Sequence, residues 1–243
     1  ALEQAIREAQ PQAEINLVLL HSEDKQSPSG THYWLAPRPY LSSYFHVRHG
    51  NIPDQQRLVR RLLGKSYSVV LGGGGTRGFA HVGVLHAWQE AGMPIDEICG
   101  TSMGAFVAAV YACGHDYPEM LELGNQFSSR KLILDYTLPF TALMAGRKME
   151  SLLKEFFGEQ QIEDLWIPYF SVASNLSKAD VVVDDRGPLW MALRKSMSIP
   201  GVFPAVNQDQ DLVVDGAVMN NLPIDIMQSR HAGGTLVAVN VTP

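Results

Sequence analysis

The sequence predicts an α/β fold with a mostly parallel central sheet, preceded by a small N-terminal lead-in subdomain. Three observations predict it. From Tyr67 onward, strand-like runs alternate with helical runs, the signature of βαβ units. The first of these strands runs straight into four glycines, Gly72–Gly75, ahead of a helical segment. With 243 residues, 46% of them hydrophobic and 18% charged, the chain has the apolar material for one sizeable core and none of the bias of a disordered or fibrous protein.

Residues 1–65 form the lead-in. A short helix is expected over Leu2 to Glu8, a strand over Ile15 to Leu20, and a turn-rich stretch over Ser22 to Thr31. Residues Gln55 to Lys65 place Leu58, Val59 and Leu62 on one helical face and Arg57, Arg60, Arg61 and Lys65 mostly elsewhere. This reads as a surface helix packed on the main domain by its apolar side, with contact between its basic face and anionic lipid head groups as the other reading.

Residues 66–243 carry the alternating pattern. Ser68 to Leu71 is the first strand, followed by the glycine loop and a helix from about Arg77 to Glu90 that stops at Ala91-Gly92. Glu97 to Gly100 is the next strand and Met103 to Cys113 the next helix. Beyond these come a helix over Lys148 to Phe157, a strand over Tyr169 to Ala173, a hairpin around Asp184 to Gly187 and a helix over Leu189 to Ser196. A strand over Leu212 to Asp215, a helix over Ile224 to Arg230 and a last strand over Leu236 to Val241 complete the order.

Composition narrows the function. A formal net charge of −6 leaves no broad basic face for nucleic acid. Cys99 and Cys113 have neither metal-ligand spacing nor histidine neighbours, so no zinc site, disulfide framework or metal is expected, and a reducing compartment is. No run of 18 apolar residues occurs to span a bilayer. The chain opens on Ala1 and stops just after a strand-like run, so a segment of a longer protein is expected.

The chemistry centres on Gly100-Thr101-Ser102-Met103-Gly104, a G-x-S-x-G between strand and helix. On such a turn Gly100 and Gly104 let the backbone pass without a Cβ clash and lift the Ser102 hydroxyl above the sheet edge as a nucleophile; otherwise Ser102 merely caps the helix. Gly72 to Gly78 offers bare amides at a helix N-terminus, a nest for negative charge. It also satisfies G-x-G-x-x-G, which makes a dinucleotide-binding α/β protein the rival reading. That site requires an acid at the carboxyl end of the second strand, where Thr101 and Ser102 stand; Asp96 and Glu97 precede the strand.

A serine nucleophile needs a base. His115 and His231 lie at helix ends away from Ser102, and His81 and His86 read as packed helix residues. Asp215, ending a strand and entering Gly216-Ala217, is the better partner and points to a Ser–Asp dyad, although a turn aspartate before glycine is the commoner meaning of that pattern. Asp180, Asp184 and Asp185 read as solvated hairpin residues. Leu138 to Phe140 with Leu143 and Met144 read as core, or as an acyl groove.

Four blocks in order resemble the patatin-like phospholipase family, and within it the neuropathy target esterase branch: Gly72 to Gly78 with Ala80 to Leu85, Gly100 to Gly104, Ser196 to Pro204, and Asp215-Gly-Ala with Asn220 to Pro223. The likeness covers about residues 67–243, and Leu17 to His21 resembles the stretch before that domain in the branch. It implies a three-layer α/β/α fold and a serine esterase acting on lysophospholipids or phospholipids without a cofactor. Ser102 is then the nucleophile and Asp215 the base, and the amides of Gly74 and Gly75 form an oxyanion hole in a loop that Arg77 helps fix. It further implies peripheral contact with a membrane from the cytoplasmic side, and regulatory modules upstream in relatives. Ala217 departs from the commoner glycine. A lipid-binding module without catalysis is a further alternative.

Overall fold

A computed structural model describes residues 2–11, 13–129, 146–230 and 233–242. Within them the N-terminal stretch contains helix α1 (Leu2–Ala9), strand β1 (Asn16–His21), helix α2 (Thr31–Leu35), strand β2 (Ser43–Arg48) and helix α3 (Ile52–Leu62). Strands β1 and β2 pair in parallel as a separate two-stranded sheet. Helix α2 and strand β2 were not signalled by the hydrophobic pattern.

Helix α3 begins earlier than the periodicity suggests because the Asn51 side chain caps it, accepting from the Asp54 amide at 3.0 Å, with Pro53 in the first turn. Its faces are the reverse of the expected ones. Arg57 pairs with the buried Asp54 at 2.8 Å, Arg60 with the buried Asp96 at 2.7 Å and Arg61 with Glu97 at 2.5 Å. Ile52, Val59, Leu62 and Leu63 are exposed. The arginines are thus engaged by carboxylates of the protein itself, and head-group contact through them is set aside. Matching acceptors outweigh the usual rule that apolar residues face inward, because a buried carboxylate left unpaired is costly.

The main sheet has seven strands among the described residues. Strand β3 (Ser66–Leu71) lies between β9 (Gly234–Val239) and β4 (Glu97–Thr101), and β4 pairs with β5 (Tyr169–Asn175), all in parallel. Strand β6 (Asp180–Asp184) runs antiparallel along β5, as does β8 (Asp211–Asp215), which also pairs antiparallel with β7 (Val206–Gln208). The β5–β6 hairpin turns at residues 176–179 rather than at Asp184 to Gly187. Asp184 instead pairs with the buried Lys195, and Asp185 with Arg230 at 2.7 Å, so neither is a merely solvated turn residue.

Helices cover both faces. Val69, Leu71 and Ile98 face a core shared with α4 (Ala80–Glu90), α5 (Met103–Ala112), α6 (Tyr117–Ser129), α7 (Arg147–Phe157) and α8 (Leu189–Ser196). Val70, Cys99, Phe170 and Val172 face the other way, onto Met227 of α9 (Ile224–Arg230). This is the three-layer α/β/α arrangement expected. Helix α5 is apolar on every side, which suits a helix enclosed between sheet and helices. The predicted helix from Arg77 divides into a 3-10 turn over Gly75–Phe79 and α4. No helix among the described residues is long and apolar enough to cross a membrane. The stretches Leu138 to Phe140 and Leu143 to Met144, and His231, lie outside the described residues.

Candidate active site

Two strands meet head-on along one edge of β5. Thr101, the last residue of β4, pairs with Val172, and Asp215, the last residue of β8, pairs with Ala173. Because β6 already occupies the other edge at both positions, β4 and β8 abut on the same edge from opposite directions. Asp215 therefore reaches the carboxyl end of β4 from an antiparallel strand, a route not foreseen for an all-parallel edge. The two chain turns leaving these strands, at Ser102 and at Gly216, are brought together by the ladder itself.

Ser102 has φ 54° and ψ −123°, a conformation that L residues rarely adopt and that marks a tight strand-to-helix elbow. The other non-glycine residues with positive φ among the described ones, Ala179, Asp209 and Gln210, belong to hairpin turns. Two glycines make room for the elbow. A Cβ at Gly104 would lie 2.2 Å from the carbonyl oxygen of Leu71, and one at Gly100 would lie 2.4 Å from the backbone of Gly104. The Ser102 side chain makes no cap hydrogen bond to its own helix. Its Oγ donates to Asp215 Oδ2 at 2.6 Å, and both residues are buried, at 5% and 2% exposure.

Asp215 is held from its other side, where Oδ1 accepts from the Ala217 amide at 2.8 Å. Burial pushes its carboxyl above the ordinary aspartate range, and the hydrogen bonds from Ser102 and Ala217 hold it back in part. This suits a proton acceptor, more basic than an ordinary aspartate and already hydrogen-bonded to the hydroxyl.

Ser102, Asp215 and the glycine loop share one cleft of about 480 Å³, lined by Gly73, Gly74, Gly75, Ser102, Ile199, Pro200, Asp215, Ala217, Val218, Asn221 and Thr242. Of its rim, Ile199, Pro200 and Val218 are apolar and exposed. Among the described residues no acceptor engages the amides of Gly74 or Gly75. The Arg77 guanidinium stands exposed; it is the Arg77 amide that closes the turn, donating to the Gly74 carbonyl at 3.2 Å. Asp96 and Glu97 sit at the opposite end of β4, committed to Arg60 and Arg61, and the acid that does reach the carboxyl end, Asp215, is engaged by Ser102 and the Ala217 amide.

Three contributors lie within the recognised sequence blocks but were given no role there. Ser196 Oγ accepts from the Ser102 amide at 2.8 Å and donates to the Val172 carbonyl at 2.6 Å, bridging elbow and β5. His81 binds the Gly72 carbonyl through Nε2 at 2.8 Å, and Asn221 binds Gly73. All are contacts across the fold, without a local spacing to reveal them.

Residues 69–227 match the family described as patatin-like phospholipase, and residues 1–69 match the neuropathy target esterase family P-loop like domain. Patatin-like phospholipase domain-containing protein 7 of Mus musculus is 35% identical over 99% of this chain and 20% of its own length. Protein 6 of the same description from Homo sapiens is 34% identical over the same shares. Neuropathy target esterase sws of Drosophila melanogaster is 33% identical over 93% of this chain and 18% of its own. The chain thus spans about a fifth of the length of the curated relatives it matches. Among solved structures, VipD from Legionella pneumophila superposes with a TM-score of 0.51 at 15% identity, over 65% of this chain and 47% of that one, a likeness of fold.

Proposed function

The chain belongs to the patatin-like phospholipase family, and from that premise we propose that it hydrolyses carboxylic esters of lysophospholipids and phospholipids with Ser102 as nucleophile and Asp215 as base. The observation that carries the reading is the 2.6 Å hydrogen bond from Ser102 Oγ to Asp215 Oδ2 at the floor of an open cleft.

The steps follow from that contact. Asp215 accepts the Ser102 proton as Oγ bonds to the ester carbonyl carbon, and the carbonyl oxygen becomes an anion facing the free amides of Gly74 and Gly75. Collapse of this intermediate breaks the ester C–O bond, and Asp215 returns the proton to the leaving alcohol. Water then attacks the acyl-serine, giving its proton to Asp215, and the fatty acid leaves as Ser102 is restored. Ile199, Pro200 and Val218 around the mouth favour an acyl chain entering from a lipid surface, which supports peripheral contact with a membrane; the cytoplasmic side is proposed from the family resemblance alone. Residues 1–65 are a separate unit docked on the esterase domain 66–243.

The test is fatty-acid release from lysophosphatidylcholine, phosphatidylcholine and a soluble short-chain ester, with Ser102→Ala as the blank. Release that vanishes in the blank supports the reading, and the ranking of the three substrates sets its specificity. Equal release in the blank, or lipid binding without release, overturns it.

Two expected results follow from the site. The base must be ionised, so kcat/KM is expected to fall on acidification through the Asp215 pKa, at a pH above the ordinary aspartate range. A profile that does not fall on acidification, or that falls only in the range of a free aspartate, contradicts Asp215 as the base. Gly74→Val places a Cβ 2.5 Å from a Val241 methyl and displaces the loop. The loss of one oxyanion donor is expected to lower turnover of the soluble ester by roughly 10²–10³-fold with the melting temperature little changed.

A further inference from the structure

The glycine loop is gripped peptide by peptide from outside. A trans peptide is planar, so fixing its carbonyl fixes the opposite direction of the N–H that follows. The Gly72–Gly73 peptide is held on both sides: its carbonyl accepts from His81 Nε2 at 2.8 Å, and its amide donates to the Asn221 carbonyl at 3.1 Å. Since a carbonyl only accepts, His81 keeps its proton on Nε2, and its buried Nδ1 is without a partner. The histidine brought to this loop therefore supports the backbone and faces neither Ser102 nor Asp215.

The Gly73–Gly74 peptide is held on one side only. Its carbonyl accepts from Asn221 Nδ2 at 3.3 Å, while the Gly74 amide at its other end is free. Asn221 also fills the place of a side chain at Gly73, where a Cβ would lie 2.5 Å from Oδ1. The segment carrying Asn221 is anchored in turn. Thr101 Oγ1, next to the nucleophile, donates to the Asn220 carbonyl at 3.0 Å, and Asn220 Nδ2 donates to Asp225 Oδ1 at 2.7 Å.

We propose that Asn221 is a positioning residue for ester hydrolysis: by holding the Gly73 carbonyl it turns the Gly74 amide toward the oxyanion before substrate arrives. The proposal rests on the esterase reading above and adds to it the element that orients its anion-binding amides. Asn221 touches backbone and not the reacting atoms, so its removal should alter the transition state more than substrate binding.

The experiment compares wild type with Asn221→Ala and the isosteric Asn221→Asp on a soluble ester and on its thiono analogue, in which sulfur replaces the carbonyl oxygen. Hydrogen-bond donors placed for an oxyanion favour the oxygen ester, so the ratio of the two rates reports how well they are placed. Both variants are expected to lose kcat by up to roughly 10²-fold with KM nearly unchanged, and to show a smaller oxygen-to-sulfur ratio. Unchanged kcat and ratio overturn the proposal, as does a loss of kcat that tracks a falling melting temperature at constant ratio. If the alanine variant does not fold, the isosteric aspartate variant decides. A wild type without Ser102-dependent hydrolysis overturns the esterase reading itself, an outcome separate from these.

Discussion

Asp215→Asn is expected to cut ester hydrolysis by roughly 10⁴-fold, to near the floor left by Ser102→Ala, and the double variant is expected to lose almost nothing more. Asparagine fits the same volume, but the Ala217 amide fixes which end points where. That amide needs an oxygen at the Oδ1 position, so the asparagine NH₂ is driven to the Oδ2 position and faces Ser102 Oγ as a donor. The hydroxyl then meets a group that cannot take its proton. Because serine and base act in the same proton transfer, the two losses are not additive. Initial rates of the three variants with the soluble ester check this. A double variant losing the product of the two single losses would mean that they act in separate steps.

Gly104→Ala is expected to destabilise the fold by about 3 kcal/mol or more, at the upper end of overpacking effects. The new methyl would lie 2.2 Å from the Leu71 carbonyl oxygen and 2.6 Å from that of Gly72. Both are backbone atoms, and neither is free to yield: Leu71 lies in the central strand and Gly72 is tied to His81 and Val239. Folded molecules that remain should be nearly inactive, since relief requires moving the elbow away from the glycine loop. Gly83→Ala is the contrasting case, in an exposed turn of α4 where a Cβ meets nothing within 4 Å. It should stabilise by up to about 1 kcal/mol through helix propensity. Denaturant midpoints of the two variants should move in opposite directions, and equal shifts would show that the close approach at Gly104 is not limiting.

Local rules carried most of the main domain. Strand β3, the glycine loop, the elbow and helices α5, α8 and α9 follow from runs of apolar residues ended by glycine, and these are short-range signals. What escaped depends on partners distant in the chain. The turn-like composition of Asp184 to Gly187 predicts a hairpin there, whereas the turn lies at residues 176–179 and has Ala179 at φ 51°, without glycine or proline to announce it. The arginines of α3 turn inward because Asp96 and Glu97, some 36 positions away, await them. In the site, the residues that contribute side-chain chemistry took their roles from local patterns, whereas Ser196, His81 and Asn221, which act on backbone, lay in recognised blocks whose spacing did not give their roles. A hydrogen bond to a carbonyl asks for little more than a donor at the right place in space.

The head-on meeting of β4 and β8 along β5 also bears on the motions open to the site. Val172 and Ala173 are consecutive residues of one buried strand, paired with Thr101, the neighbour of Ser102, and with Asp215. Drawing Ser102 and Asp215 apart thus requires unzipping a central ladder, an event of the rarest, near-global class in hydrogen exchange rather than loop breathing. The slowest-exchanging amides and the Ser102–Asp215 contact then share a single opening reaction, and heat or denaturant should leave that contact intact until the sheet itself gives way.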